Sequence, residues 1–199
     1  MSTKKIAFDQ LYYKARKHTL VSKDRCKILY DATEFCTNLE GAWFECGVYK
    51  GGTALLLSEL IREGSTLHLF DTFDGMPPTD PEKDRHQIGD FNDVSLEQVQ
   101  QLLSPSDKII YHKGFMPDTF AGLENEKIAL AHIDVDIYNS VLDCCNFIYP
   151  RLVAGGAMIF DDFGFDSCPG AKLAVNEFFS DKPEAVQVLE TNQAVIIKG

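Results

Sequence analysis

Four aspartates follow two apolar runs, and acidic side chains placed in this way could bind a metal ion or accept a proton. The first run leads into Asp134 and Asp136. The second run leads into Asp161 and Asp162. Each run has the length of a buried strand, and open α/β sheets bind their ligands beyond the carboxyl ends of the strands. We therefore predict that the four carboxylates share one crevice.

Carboxylates gathered in one crevice repel one another and resist burial unless a cation compensates their charge. A hard divalent ion such as Mg²⁺, which prefers oxygen ligands, is the natural partner. The alternative role for these side chains is helix capping and loop bonding. Because two acidic pairs on neighbouring strand ends are hard to explain by capping alone, the sequence favours a metal site. His132 precedes the first pair, and we expect it to be a hydrogen-bonded core residue rather than a ligand.

A glycine-rich loop connects the first predicted strand, residues 42–46, to a helix predicted at 54–62. The loop contains Gly47, Gly51 and Gly52, which let the backbone approach a ligand closely, and a helix N-terminus offers free N–H groups. This spacing differs from the G-x-G-x-x-G of dinucleotide-binding proteins. Glu45 would repel a pyrophosphate, whereas a cationic cofactor tolerates a nearby carboxylate. A purely structural turn is the other interpretation.

Asp71 ends the second predicted strand, residues 66–71, where folds of this type place the acid that binds a ribose diol. Both NAD and S-adenosylmethionine carry a ribose, and bonding of the local loops is the alternative role for this residue. Residues 72–93 follow without periodicity, and connections of that length usually act as lids or binding loops. Phe115 could be an aromatic wall for a flat base or part of the core.

Predicted strands and helices alternate five times along the chain, and a hairpin with a two-residue turn at Thr191 and Asn192 ends it. A glycine pair at 155–156 predicts a turn before the strand that carries the second acidic pair. The pattern indicates an α/β protein and one domain over residues 1–199. A helical segment at 1–39 precedes a core at 40–199.

The composition excludes several classes of protein. The chain has 199 residues, 45% of them hydrophobic, and its net charge of −11 argues against nonspecific nucleic-acid binding. No apolar run approaches the roughly 20 residues needed to span a bilayer, and no signal peptide is evident. The six cysteines form no C-x-x-C pair and are expected to be reduced. We therefore expect a cytoplasmic protein without nucleic-acid or membrane partners.

Residues 1–27 are basic, although the rest of the chain is strongly acidic. Two amphipathic helices are predicted in the N-terminal part, the second of them capped by Ser22. One interpretation is a solvated helical face. The other is an arm that folds over an acidic site or meets an acidic partner.

Four motifs carry a resemblance to a known family. They are E-C-G-V-Y-K-G-G-T, F-D-T-F-D-G-M-P, H-I-D-V-D-I-Y-N-S and G-G-A-M-I-F-D-D-F. Together they resemble the macrocin O-methyltransferase family of class I S-adenosylmethionine-dependent methyltransferases, over about residues 40–179. The resemblance implies a Rossmann-like fold with a mostly parallel seven-stranded sheet, helices on both faces and a C-terminal antiparallel hairpin.

The resemblance also implies roles for individual residues. Asp134, Asp161 and Asp162 would hold Mg²⁺ or a similar ion, and Asp136 would be the general base. Contacts to S-adenosylmethionine would come from Glu45, Gly47, Val48, Tyr49, Gly51, Thr53, Asp71, Thr72, Gly114, Phe115 and Asp134. The acceptor would be a small molecule, with a hydroxyl of a sugar or natural product as the methylated group.

The chain departs from the family pattern in two places. One is in the glycine loop, and the other is the segment before the core, which bears on the choice of acceptor. Lys50 stands where many members are expected to have arginine, and little sequence precedes the core. Three other functions stay open: methylation of a catechol or phenol, non-catalytic binding of S-adenosylmethionine, and NAD-dependent oxidation, which the missing G-x-G-x-x-G disfavours. The sequence leaves the oligomeric state open.

Overall fold

The strands and helices of the computed structural model are described for residues 7–103 and 105–199. The helices are α1 (Phe8–Ala15), α2 (Lys23–Cys36), α3 (Gly52–Leu60), α4 (Leu96–Leu103), α5 (Tyr138–Ile148) and α6 (Pro169–Phe179). The strands are β1 (Ala42–Cys46), β2 (Leu67–Asp71), β3 (Ile109–Lys113), β4 (Ile128–Ile133), β5 (Leu152–Phe160), β6 (Gln187–Val188) and β7 (Ala194–Ile197). The basic residues Lys4 and Lys5 lie outside the described part of the chain.

The strands form one seven-stranded sheet in the order β3-β2-β1-β4-β5-β7-β6. Strands β1 to β5 are parallel to one another, and β7 pairs antiparallel with both β5 and β6. Every residue of the central strands β1 and β4 is buried, as expected for parallel strands that helices cover on both faces. The predicted fold class is therefore confirmed.

Two apolar clusters fill the space between the sheet and its helices. One cluster packs α5 and α6 against a face that includes Phe44 and Phe70. The other packs α1 to α4 against the opposite face, where Trp43 and Leu69 point. Alternate residues of β1 and β2 thus enter opposite clusters, as the two-residue period of a strand requires. None of the described helices is both long enough and apolar enough to cross a bilayer.

The C-terminal hairpin differs from the prediction by one residue. Val188 pairs with Ala194, and the N–H of Leu189 donates to the carbonyl oxygen of Gln193 at 2.9 Å. The connection therefore has three residues, and Asn192 adopts a positive φ of 68°. Asparagine tolerates that left-handed conformation better than most residues, which accounts for the longer turn.

The glycine pair at 155–156 was wrongly predicted to form a turn, since β5 runs through it. The pairing with β4 shifts register between Ile128 and Leu130, so β5 accommodates the glycines as an irregularity within the strand. Its last residue, Phe160, pairs with Ile133 of β4. That register brings the ends of the two strands level with each other.

Gly47 allows β1 and β4 to end side by side. Its φ is 85°, and a side chain there would overlap the backbone carbonyl of Asp134. The N–H of Asp134 in turn donates to the carbonyl oxygen of Cys46 at 2.8 Å. Because only glycine permits this approach, the loop after β1 lies directly against the first acidic pair.

Two histidines stack on each other, His68 on β2 and His112 on β3. Because of them, we expect the free energy of unfolding to decrease in acid. The Nδ1 of His68 lies 2.9 Å from the Nε2 of His112. Burial, and secondarily the neighbouring His112, lowers the pKa of His68 to about 4. The neutral form is therefore favoured in the folded state, so stability is complete above pH 6.5 and falls as the pH drops towards 4, by up to about 3 kcal/mol.

The measurement is chemical denaturation at several pH values. His68→Phe keeps a flat ring beside Phe44 and Phe70, which lie 4.9 and 6.3 Å from the histidine ring, but cannot titrate. This variant should lose less stability than the wild type between pH 6.5 and 4. Equal losses in the two proteins would contradict the assignment.

Candidate functional site

A cavity of about 290 Å³ opens at the carboxyl ends of β1, β2 and β4. The predicted site residues that line it are Gly47, Val48, Tyr49, Thr53, Asp71, Thr72, Gly114, Phe115, Asp134, Asp136 and Asp162. Glu45, Gly51 and Asp161 are not among its lining residues. Most of the residues predicted from separate motifs therefore face one space.

Asp71 connects the loop after β1 to the loop after β2. Its Oδ2 accepts the N–H groups of Val48 and Tyr49 at 2.7 and 2.9 Å. Its Oδ1 accepts the N–H of Phe73 at 2.7 Å. The loop-bonding role considered for Asp71 is thus present, and because the side chain also faces the cavity, its contact to a ribose stays a prediction.

The two acidic pairs lie together at the ends of β4 and β5. The N–H of Asp161 donates to the carbonyl oxygen of Ile133 at 2.9 Å, which continues the sheet beyond the last paired residues. The Oδ2 of Asp162 accepts the N–H of Asp136 at 3.0 Å. Ligand atoms of His132, Asp134 and Asp161 lie within 4.8 Å of one another. The tertiary structure thus brings both pairs into one cluster.

The negative charges of Asp134 and Asp162 are not fully compensated by cationic side chains nearby. Burial and the repulsion of Asp161 raise the pKa of Asp134 well above its ordinary value. Burial and the charges of Asp136 and Asp134 raise the pKa of Asp162 in the same way. Both side chains would therefore gain from a bound positive charge.

Asp161 differs from its neighbours because cationic and amide groups already surround it. Its carboxylate forms an ion pair with Arg25 of α2 and accepts a hydrogen bond from Nε2 of Gln193 at 2.7 Å. Burial alone would raise the pKa of Asp161, but His132, Arg25 and Gln193 outweigh it and hold that pKa below its ordinary value. Asp161 therefore stays ionised in the folded protein.

His132 lies between two buried carboxylates behind the cavity. Its Nδ1 is 3.1 Å from Oε1 of Glu45, and its Nε2 is 3.5 Å from Oδ1 of Asp161. Burial lowers the pKa of His132, but the neighbouring carboxylates of Asp161 and Glu45 outweigh that effect and raise the pKa to about 10. A charged histidine thus fixes Glu45 behind the site and supports Asp161, in keeping with the expected core role.

A strand that continued through Asp136 would place this residue on the same face as His132 and Asp134, but the structure shows otherwise. Strand β4 ends at Ile133, and Asp136 has a φ of 58°. Its side chain faces Cys168 and His86 instead, and burial raises its pKa above the ordinary value, which His86 partly offsets. A carboxylate with a raised pKa is a better proton acceptor than an ordinary aspartate.

The residues present fit a hard divalent ion. The predicted ligands Asp134, Asp161 and Asp162 offer only oxygen atoms, as Mg²⁺ prefers, although the ligand atoms that lie within 4.8 Å of one another belong to Asp134, Asp161 and His132. The raised pKa values of Asp134 and Asp162 show that their charges are not compensated within the chain. Because Arg25 is bound to Asp161, an ion would share that carboxylate with the guanidinium or displace it.

Sequence reasoning missed three residues of the site. Arg25 sits on a helix for which no reactive group was predicted, although an arm over an acidic site had been considered for this basic segment. His86 comes from the irregular segment 72–93, and Cys168 from the connection between β5 and α6. No local pattern marks any of them, since each contacts the aspartates only through the tertiary fold.

Removing the cation from the buried ion pair should destabilise the protein. Arg25→Met leaves the fully buried Asp161 without its guanidinium partner, which typically costs about 3 kcal/mol or more of unfolding free energy. Arg16→Met is the matched control, because Arg16 is exposed and stacks on the ring of Tyr13. Urea denaturation would measure both, and added Mg²⁺ should restore part of the loss only in the Arg25 variant. An Arg25 variant as stable as the control would contradict this account.

The chain is similar in sequence to known O-methyltransferases. The chain is 29% identical over 171 residues to the 8-demethyl-8-(2,3-dimethoxy-alpha-L-rhamnosyl)-tetracenomycin-C 4'-O-methyltransferase of Streptomyces olivaceus, covering 77% of this chain and 66% of that protein. It is 28% identical over 185 residues to the mycinamicin III 3''-O-methyltransferase of Micromonospora griseorubida, covering 83% of this chain and 72% of that protein. The chain thus spans about two thirds of the length of these relatives.

A solved structure shows the same fold. The O-methyltransferase NovP superposes with a TM-score of 0.81 at 23% identity, over 91% of this chain and 82% of that one. The family model described as macrocin-O-methyltransferase (TylF) matches residues 9–190, which is nearly the whole sequence. This chain therefore belongs to the macrocin-O-methyltransferase family.

Proposed function

We propose that the protein transfers the methyl group of S-adenosylmethionine to a hydroxyl of a sugar carried by a natural product, with Mg²⁺ or a similar ion. The observation that supports this most is that the glycine loop and three of the four acidic residues, Asp134, Asp136 and Asp162, line one cavity. The glycine loop suits a cofactor, and the acidic pairs suit an ion and a reacting hydroxyl. Family membership supports the reaction class.

The methyl donor would bind along the ends of β1, β2 and β3. Gly47 and Thr53 line the cavity and would contact the amino-acid part of the donor, and Asp71 would bind its ribose. Gly114 and Phe115 follow β3, and the Phe115 side chain, 52% exposed, is free to cover an adenine. The nearby carboxylates suit a sulfonium, whose positive charge they attract.

The acidic residues would prepare the acceptor. Asp134, Asp161 and Asp162 would hold the divalent ion, which, when bound, lowers the pKa of an adjacent hydroxyl. Asp136 would accept the hydroxyl proton at its carboxylate, whose raised pKa makes it a stronger base than an exposed aspartate. Asp162 positions Asp136 through the hydrogen bond to its backbone N–H.

The walls of the cavity favour an acceptor with an apolar part. Met76, Phe91 and Phe165 line it together with Leu20, which precedes α2 and is 66% exposed. These side chains would pack against an aglycone while the sugar reaches the carboxylates. The name of the Streptomyces olivaceus relative describes methylation of a rhamnosyl natural product, which supports a glycoside as acceptor.

The test combines binding with product detection. Calorimetry on metal-stripped protein should show binding of S-adenosylmethionine, and turnover should require added Mg²⁺. Methylation should then be measured by mass spectrometry on a glycosylated polyketide, its aglycone and a simple catechol. Product from the glycoside alone supports the proposal. Product from the catechol alone would assign a phenolic acceptor instead, and absence of donor binding would overturn the methyltransferase function.

A further inference from the structure

A second group of potential ligands lies on the wall of the cavity. It is beside the predicted ion ligands Asp134, Asp161 and Asp162, which are called the all-oxygen cluster below. It consists of His86, Asp136 and Cys168, which approach one another through Nε2, Oδ1 and Sγ. The distance from His86 Nε2 to Asp136 Oδ1 is 3.5 Å. Cys168 Sγ lies 3.4 Å from Asp136 Oδ1 and 3.7 Å from His86 Nε2. The three atoms thus form a nearly equilateral triangle.

These distances match the edges of a tetrahedral zinc site. Zn²⁺ binds sulfur at about 2.3 Å and nitrogen or oxygen at about 2.0–2.2 Å, so tetrahedral ligands lie about 3.3 to 3.7 Å apart. All three observed separations fall within that range. The spacing of the three side chains is therefore compatible with one ion bound by all of them.

His86 is also oriented as a metal ligand. Its Nδ1 lies 3.1 Å from Oδ2 of Asp90, which suits an Nδ1–H that donates to this carboxylate. The other ring nitrogen, Nε2, faces Asp136 and Cys168 and is the atom that would bind an ion. A carboxylate behind a histidine is the usual support of zinc-binding imidazoles.

We propose that His86, Asp136 and Cys168 bind a thiophilic divalent ion such as Zn²⁺, at a site distinct from the all-oxygen cluster. Sulfur and imidazole ligands favour Zn²⁺, whereas the neighbouring carboxylates favour Mg²⁺. On binding, the thiol of Cys168 releases one proton to solvent, and the thiolate and the Asp136 carboxylate balance the two positive charges. All three side chains line the cavity, which leaves the fourth position open to water.

A consequence for activity rests on the proposed function. Because Asp136 would be the base for the acceptor hydroxyl, an ion bound to it prevents proton transfer. The same ion joins the segment 72–93, which carries His86, to the connection before α6. Zn²⁺ at this site therefore inhibits methylation and holds that segment against the core.

The test uses Co²⁺ as a spectroscopic substitute for Zn²⁺ on the full, metal-stripped chain, without donor or acceptor. A Co²⁺–thiolate bond gives a charge-transfer absorption band that oxygen ligands do not give. The wild type should show this band, Zn²⁺ should abolish it, and excess Mg²⁺ should leave it. Because no turnover is measured, the result is independent of the methyltransferase function.

Two variants test the ligands His86 and Cys168, a third tests the support of His86, and a fourth is the control. Cys168→Ser and His86→Asn should lose the band, and His86→Asn serves if the serine variant does not fold. Asp90→Asn should weaken Co²⁺ binding roughly tenfold, because it removes the support of the imidazole. Asp74→Asn, which removes an exposed carboxylate from the same segment, should leave the affinity unchanged. No band in the wild type, or a band that survives both ligand variants, would overturn the proposal, as would equal weakening by Asp90→Asn and Asp74→Asn.

Discussion

Asp162→Asn should abolish methylation while making the metal-free protein more stable. The activity loss is expected because Asp162 is a predicted ion ligand, and removing such a charge from an active site costs roughly 10³-fold in turnover. The gain in stability is expected because Asp162 is buried beside Asp134 and Asp136 without a sufficient cation. Asparagine has nearly the same shape and can still accept the N–H of Asp136 through its amide oxygen.

The effect of Asp162 on stability should depend on pH. The pKa of Asp162 is raised in the folded protein, so its contribution to stability is complete below the ordinary pKa of an aspartate, about 3.9, and is lost as the pH rises through the folded pKa. The contribution of Asp162 to the stability of the metal-free wild type should thus decrease from acid to neutral pH, opposite in sign to the contribution of His68. Asp162→Asn should lack this decrease, since one of the interacting carboxylates is gone.

Thermal unfolding with and without Mg²⁺ checks both parts. Mg²⁺ should stabilise the wild type, because it binds the folded state, and should stabilise Asp162→Asn much less. The control is Asp166→Asn, which removes an exposed carboxylate four residues away and should change neither activity nor stability. A variant that keeps its Mg²⁺ response would show that Asp162 is not a ligand.

Asp136→Asn should lower turnover by about 10²- to 10⁴-fold, the usual contribution of a general base. Unlike Asp162→Asn, it should retain its affinity for S-adenosylmethionine and its stabilisation by Mg²⁺. Asparagine is the substitution of choice because Asp136 has a φ of 58°, a conformation that asparagine adopts more readily than alanine. The variant therefore changes proton affinity without straining the backbone.

Single-turnover methylation at several pH values, together with calorimetry, separates the two roles. Loss of the chemical step with normal donor and Mg²⁺ binding supports Asp136 as the base. Loss of Mg²⁺ binding in this variant would instead make Asp136 an ion ligand. An unchanged rate would contradict a chemical role for this residue.

The sequence by itself determined the fold class, the family and the order of elements. Alternating apolar runs and glycine turns predicted the strands, and the motifs around Glu45, Asp71 and the two acidic pairs carried the resemblance. The capping box of Ser95 and Gln98 was also predictable, because its two hydrogen bonds of 3.0 and 3.4 Å join residues three apart. All these features depend on spacing along the chain.

Only the tertiary structure decided how the acidic residues differ from one another. The negative charge of Asp161 is compensated by Arg25, which is 136 residues away in sequence, whereas no cationic side chain compensates the charge of Asp162. Asp136 turns away from its strand and meets His86 and Cys168. Charge compensation and burial depend on distances in space between remote segments, and a local pattern of residues contains no such distances. The sequence therefore determined which groups are present, and packing decided their protonation and partners.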